Sequence, residues 1–402
     1  MSADERVDVA VIGGGIIGLA VAWRASERGA SVALYERARL AQGASRVAAG
    51  MLAPVAEVEF GAAGRRILEL GLRSAQLWPR FAAELERASG EDVPLRRAGT
   101  LLLARDEDEA RELERQLAFR RSLGLHVERL LASQARDREP ALTPTLRLAL
   151  EVPEDHSIDP RAALDALAHA CRRAGVLVHE DSPVAAVELD EGGERACGVR
   201  LQDGELVRCD HVVLAAGAWS TGIGGLPAHA RVPVRPVKGQ IMRLRDPAGA
   251  GLLTRAARYQ GGYVLPRGDG RYVLGATMEE RGFDEHPTVG GLYELMRDAH
   301  ELVPGISELE LEELSVGFRP GTPDNAPVIG RGAIDGLVWA SGHHRNGILL
   351  APLTAQLVAG LLDPSCAHPD ADALLAGSDP VRFAPVREPD AVAAAVAAGA
   401  SQ

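Results

Sequence analysis

Lysine is almost absent from this chain: Lys238 is the only one, and every other basic residue is Arg. A GC-rich genome accounts for such a bias, yet a surviving Lys also marks a position where a planar guanidinium would not serve. Cysteine is scarce as well. Cys171, Cys197, Cys209 and Cys366 stand far apart with no CxxC pair, which fits neither a disulfide framework nor a zinc site and points to a reducing compartment. Long apolar runs are missing. Val9–Trp23 and Ile348–Leu362 are the nearest to membrane spans, but each has 15 residues broken by Gly or Pro, short of the ~18 that spanning requires. The opening MSADERVDVAVIGGG puts acidic residues where a signal peptide needs a basic segment. These absences predict a soluble, cytoplasmic protein.

Positive charge is in deficit, with 44 basic residues against 56 acidic ones and a net charge of −12. That balance repels phosphate backbones and anionic lipid, so neither nucleic acid nor membrane is expected as a partner. A small anionic substrate responds to local charge only. With 402 residues, 46% hydrophobic and 25% charged, the chain has room for two domains or for one fold carrying an insertion.

Periodicity supplies the outline. Val7–Ile12 reads as a buried parallel strand, Ile16–Arg28 as a helix and Ser31–Glu36 as a second strand, together a β-α-β unit. Arg65–Ala88 has helical period, and Arg105–Glu139, dense in charge with Leu and Ala at helical spacing, reads as a solvated helical face. Val176–Val178, Val184–Leu189 and Ala196–Leu201 read as strands around the turn Asp190–Gly193. His211–Ala215 is another strand, ending in Ala216-Gly217. From Val232 to Leu274 the pattern becomes β-like alternation with Gly turns, including Gly262–Pro266 and Arg271–Gly275. Leu337–Ser341 is a further strand, followed by the helix-like run Ile348–Leu362. The Ala-rich end, Asp390–Gln402, reads as a tail.

Gly13, Gly15 and Gly18 form GxGxxG between the first strand and the first helix. Gly13 permits the tight turn, Gly15 lets the backbone approach a pyrophosphate, and Gly18 allows close helix–strand packing. The helix N-terminus adds partial positive charge. Glu36 closes the second strand 18 residues after Gly18, where a carboxylate accepts from a ribose 2′-hydroxyl and repels a 2′-phosphate. The motif by itself does not separate NAD from FAD.

Later segments separate them by resemblance. HVVLAAGAWS (His211–Ser220) resembles the second dinucleotide contact of FAD-binding amine oxidoreductases, and SRVAAGMLAP (Ser45–Pro54) the loop beside their flavin. With GFRPGTPDNAPVIGR (Gly317–Arg331), SGHHRNGILLAP (Ser341–Pro352), GYVLPR (Gly262–Arg267) and GATM (Gly275–Met278), the chain resembles the D-amino-acid oxidase superfamily from residue 7 to about 362. Within it the likeness is to the bacterial glycine oxidase branch, which supplies dehydroglycine for the thiazole of thiamine. The fold this implies is α/β, with a discontinuous FAD-binding Rossmann-like domain over 1–85, 151–230 and 316–370. An antiparallel-sheet substrate domain is inserted over 86–150 and 231–315, and a mobile C-terminal tail follows over 371–402.

The resemblance implies noncovalent FAD, held by Gly13, Gly15, Gly18, Glu36, Ala49, Gly50, Met51, Val184, Gly217 and Trp219. The loop Gly342, His343, His344, Arg345, Asn346 and Gly347 completes that set. It implies Arg319 as the anchor of a substrate carboxylate, Tyr263 as a hydroxyl on the same carboxylate, Arg345 as a second cation and Met278 as pocket wall. One departure is Gly261, two positions before Tyr263, where the branch has a histidine; it leaves the ranking of glycine, sarcosine and D-alanine open.

The chemistry suits these residue types. Arg grips both carboxylate oxygens with a planar fork, and Tyr adds a directional O–H bond. Hydride transfer from a neutral amine then needs positioning more than acid–base help, so no residue is expected as a catalytic base. The N-terminus of the helix after Gly347 would face the flavin pyrimidine edge. His343 and His344 are neighbours in a loop and point apart, so no metal site is expected. The role of Lys238 stays open between an ordinary solvated side chain, the commoner case, and an ammonium near the domain junction, close enough to the flavin to assist O2 reduction. The reaction implied is oxidation of a small amino acid by O2. The alternatives are a D-amino-acid dehydrogenase passing electrons to quinone, a sarcosine oxidase, or a non-catalytic flavin-binding or NAD-sensing protein. Whether copies of the chain assemble into a homo-oligomer is left open.

Overall fold

The computed structural model describes residues 6–249 and 251–383. Val7–Ile12, buried except at Asp8, takes the centre of an eight-stranded sheet. It pairs in parallel with Val32–Tyr35 on one side and with Leu206–Leu214 on the other. Leu177–His179 and Leu337–Ser341 extend the parallel set outward. A strand with neighbours on both edges and covers on both faces must be apolar almost throughout, which is why these short runs carry so little alternation.

The strand expected as His211–Ala215 is longer, Leu206–Leu214, because its two ends serve different partners. Its first half pairs antiparallel with Ala196–Leu201, and its second half runs parallel to Val7–Ile12. Helices Ile16–Ser26, Gly61–Ser89, Pro160–Arg173 and Gly347–Leu362 bury their apolar faces together against one side of the sheet.

A second eight-stranded sheet is antiparallel except where Ala256–Tyr259 runs beside Thr100–Ala104. Its longest pair joins Arg235–Arg245 to Glu310–Gly321, in register from Arg235 opposite Gly321 to Arg243 opposite Glu313, with one shift before Leu244 opposite Leu311. This pairing corrects the expected boundary at 315/316: the ladder continues unbroken to Gly321, so the inserted sheet does too. Leu148–Val152 likewise crosses the boundary expected at 150/151, because it pairs with Thr100–Ala104 along its whole length. Met51–Leu52, His156–Ile158 and Leu95–Arg96 form a small separate sheet, with His156–Ile158 in the middle.

Arg105–Glu139 is not one helical face. Glu107–Ser122 and Ala132–Arg138 are separate helices, and Glu128–Leu130 between them is an edge strand on Leu148–Val152. Gly124, at φ +73°, lies in the turn that ends the first helix.

The tail expected from residue 371 also differs. Ala371–Leu375 is a short helix with Leu374 buried, Ser378 accepts the Ile329 N–H at 2.9 Å, and Arg382 pairs with Asp324 at 2.9 Å. Asp390–Gln402 lies outside the described residues. Truncation after residue 370 should therefore uncover the edge strand Val328–Arg331 and lower the melting temperature by several degrees. Unchanged thermal unfolding of that truncation would contradict the packing.

Candidate active site

One continuous cleft of about 760 Å³ runs from the glycine-rich loop to the face of the second sheet. At the first end, Gly13 has φ +110°, and a Cβ there would lie 2.5 Å from the Ala215 carbonyl oxygen. A Cβ on Gly18 would lie 1.9 Å from the Gly13 carbonyl oxygen, so helix Ile16–Ser26 can approach the loop only with glycine at that position. Gly15 has no side chain to cap the helix, the Ser45 hydroxyl accepts the Ile16 N–H at 3.1 Å, and the helix N-terminus faces the cleft. Glu36 accepts the Gly14 N–H at 2.7 Å, which holds its carboxylate at the end of the second strand. A dinucleotide with a free 2′-hydroxyl fits this set.

The wall continues along Ala49, Gly50 and Met51, past Val184, Gly217 and Trp219, to the loop His343–Gly347. The Trp219 ring is fixed between the Arg37 guanidinium, 3.7 Å from its centroid, and the stacked Phe283 ring at 5.1 Å. His343 is fully buried with Nε2 3.0 Å from Thr354 Oγ1, and burial pushes its pKa down to about 3. Burial, together with the Arg319 and Arg345 charges, brings His344 down to about 4. Both rings are therefore neutral at ordinary pH. Gly18 and Gly342 were expected to touch the cofactor but do not line the cleft: Gly18 serves helix packing, and a Cβ on Gly342 would meet Thr322 Cγ2 at 2.7 Å.

At the other end, strand register assembles the polar groups. Val237 lies opposite Arg319, Ile241 opposite Gly275, Gly275 opposite Tyr263, and Tyr263 opposite Arg258. Directly opposed residues share a face, so Arg319, Tyr263 and Arg258 stand on one side of the sheet. Arg319 Nη1 donates to the carbonyls of Thr277 at 3.0 Å and Lys238 at 3.3 Å. Among the described residues it has no carboxylate within ion-pair distance. Burial pulls its pKa down, opposed by Tyr263 and Glu57, but an Arg remains protonated. Burial raises Tyr263, so its hydroxyl stays a donor.

Arg345 is different, because it already has a carboxylate partner. Its Nη2 donates to Glu57 Oε1 at 2.9 Å, and Arg258 pairs with the same oxygen. Burial alone would raise the Glu57 pKa, but the Arg258 and Arg345 charges outweigh it and hold the carboxylate below its usual range. Sequence reasoning missed Glu57, although it lies three residues beyond the matched loop Ser45–Pro54. Its place is set by buried Asp155, which accepts the N–H groups of Val55 (3.2 Å) and Ala56 (2.6 Å), and by buried Arg120, which donates to their carbonyls at 2.9 and 2.8 Å.

Two expectations fail at this end. Met278 is 64% exposed and is not part of the cleft wall. Beyond Gly275 the chain crosses to pair Glu279 with Lys238 through two backbone hydrogen bonds, which turns Met278 to solvent while Ala276 lines the cleft. Lys238 is fully buried, but on the opposite face from Arg319 and Tyr263, as strand alternation requires. Its Nζ donates to Asp284 Oδ2 at 2.7 Å and to the His286 carbonyl at 2.6 Å, so it ties down a loop and does not face the cleft.

The chain belongs to the FAD dependent oxidoreductase (DAO) family, which matches residues 8–361. It is 36% identical over 361 residues to glycine oxidase of Geobacillus kaustophilus, covering 89% of this chain and 93% of that protein. The crystal structure of glycine oxidase from the same organism superposes with a TM-score of 0.85 at 34% identity, covering 94% of this chain and 98% of that one. The chain is also 36% identical over 360 residues to the bifunctional protein ThiO/ThiG of Synechocystis sp., covering 88% of this chain and 51% of that protein. No helix among the described residues is long and apolar enough to cross a membrane.

Replacing Lys238 by Met should lower the melting temperature by several degrees, because Asp284 and the His286 carbonyl lose their donor. Reoxidation of the reduced flavoprotein by O2, followed by stopped flow, should match the parent. A marked slowing would return Lys238 to the oxygen chemistry.

Proposed function

We propose that this protein oxidises the amine of glycine, with O2 as electron acceptor and noncovalent FAD as cofactor, and that the product imine feeds a thiazole-forming step of thiamine synthesis. The observation that carries the reading is Arg319: a half-buried guanidinium with no carboxylate partner among the described residues, in the same cleft as the dinucleotide loop. A charge partly withdrawn from water is costly unless paired, and an incoming substrate carboxylate is the partner the site lacks.

Under this reading Arg319 takes both carboxylate oxygens, and Tyr263 donates its hydroxyl to one of them. FAD, held by the Gly13–Gly15 loop, Glu36 and the loop around Ala49–Met51, would supply the two-electron acceptor. The substrate loses the hydrogen of Cα with its electron pair and a proton from nitrogen, and O2 receives both to give H2O2. Ile241, Met51 and Ala276 give the cleft apolar lining. Glu57 is a poor base because two guanidinium groups hold it ionised. The rate enhancement therefore comes from placement of the substrate.

Gly261, where the branch has a histidine, lies in a hairpin turn at φ +96° and does not line the cleft. Sarcosine and D-alanine, each one methyl group larger, are therefore expected to be oxidised as well, since one methyl is discriminated by only ~1–3 kcal/mol.

Arg319→Ala should lower kcat/KM for glycine by roughly two to three orders of magnitude, the cost of leaving a buried carboxylate unpaired. Arg319→Lys should recover part of this, and Tyr263→Phe should cost roughly tenfold. FAD content should stay at the parental level in all three. Peroxide-coupled assays over glycine, sarcosine and D-alanine, repeated anaerobically with a quinone, measure these outcomes. Parental glycine kinetics in flavin-replete Arg319→Ala would refute the anchor, and turnover with quinone but not O2 would replace the oxidase with a dehydrogenase.

A further inference from the structure

Gly239 stands inside the eleven-residue strand Arg235–Arg245, between Lys238 and Gln240. Glycine weakens a strand interior, because it carries no side chain to pack and loses the most chain entropy on folding. It is needed where the backbone takes a positive φ or where something lies too close for a Cβ. Gly239 is not among the positive-φ glycines, so the backbone at this position would accept alanine. The second reason applies. A Cβ at 239 would lie 2.3 Å from Arg319 Nη1, 2.6 Å from Nη2 and 2.7 Å from Cζ. These are its three nearest neighbours, and all belong to one guanidinium.

The register explains the approach. Gly239 is opposite Gly317, and Arg319 is two residues further along the same face. Two opposed glycines leave a bare strip of sheet. The Arg319 guanidinium lies across the Gly239 part of it, with Nη1 bonded to the carbonyls of Lys238 and Thr277. Thr277 is held in turn: its hydroxyl accepts the Gln240 N–H at 2.9 Å and donates to Glu279 at 2.6 Å.

We propose that Gly239 is a positioning residue for the substrate's carboxylate anchor: the missing side chain lets the Arg319 guanidinium lie flat on the sheet with its free edge toward the cleft. The inference rests on the reading of Arg319 as that anchor. A methyl group at 239 would have to displace the fork by about 1 Å to restore ordinary contact distances near 3.5 Å. A shift of that size in a substrate-positioning group costs roughly a hundredfold in rate.

The test is a double-mutant cycle on the flavin-loaded enzyme, with Gly239→Ala, Arg319→Lys and the pair assayed for glycine kcat and KM, glycolate inhibition, FAD content and melting temperature. Gly239→Ala alone should lower kcat/KM by roughly a hundredfold, chiefly through KM, and weaken glycolate inhibition with FAD retained. In the Arg319→Lys background, where no planar group lies over position 239, the same change should have little effect. Equal losses in both backgrounds, or parental kinetics in Gly239→Ala, overturn the inference. If the single variant fails to fold while the pair folds, the conflict is with the guanidinium and the inference stands; if neither folds, the strand itself requires glycine and it falls. Parental kinetics in Arg319→Lys would instead remove the anchor reading, independently of Gly239.

Discussion

A half-buried positive charge without its own counter-ion among the described residues is the constraint around which this cleft is arranged. Arg319 meets two carbonyls, a bare strip of sheet and the open cleft, and no carboxylate among the described residues. Carbonyl dipoles offset part of the desolvation cost of a guanidinium but cannot cancel its charge. The remainder is borne by the fold, through an eleven-residue ladder that fixes Arg319 opposite Val237. Arg345 shows the contrasting solution. It enters the same cleft from the nucleotide side and pairs with Glu57, which Arg258 shares from the sheet side.

Strand alternation divides the labour in the second sheet. On the cleft face stand Arg319, Tyr263 and Arg258, with Gly239 and Gly275 giving the larger groups room; a Cβ on Gly275 would lie 2.6 Å from the Tyr263 hydroxyl. On the far face of the same strand stand Lys238 and Gln240, both fully buried, whose side chains bind Asp284, Glu279 and Thr288 and so hold the loop that follows the sheet. Glu57 is placed by a comparable device. Asp155 and Arg120 together bind the backbone N–H and C=O of both preceding residues, Val55 and Ala56. Burial pushes Asp155 up to about 7 and Arg120 down to about 10, costs offset by satisfying four buried backbone groups.

What was legible in the sequence is what depends on neighbours in the chain. The glycine triad, Glu36 and the strand edges at Val184–Leu189, Ala196–Leu201 and Leu337–Ser341 follow from local pattern, and the structure has them at those residues. What was not legible depends on which strand lies alongside. Lys238 and Gly239 are adjacent in sequence and face opposite ways, and only the pairing with Glu310–Gly321 decides which of them meets Arg319. Met278 fails for the same reason, because the crossing of the chain after Gly275 is a tertiary event. Glu57 is one acidic residue among many until two arginines distant in sequence converge on it. The strand Glu128–Leu130 hides in a charged helical stretch because it owes its conformation to Leu148–Val152.

The charge arrangement also bears on why the proposed reaction needs no base from the protein. Glu57 brings one negative charge to two guanidinium groups, Arg345 and Arg258, and Arg319 adds a third cation, so the inner cleft keeps an excess of positive charge and is complementary to an anionic group. An amino acid in its common zwitterionic form brings that charge together with an ammonium group. Near two guanidinium groups and away from water, the charged form of an amine is disfavoured. Under the proposed reading, the field that holds the carboxylate therefore favours release of the ammonium proton as the substrate enters, leaving the neutral amine that hydride transfer requires. Glu57, held ionised and fully engaged, stays out of the proton chemistry, and the same pairing that keeps it so prevents Arg345 from competing with Arg319 for the carboxylate.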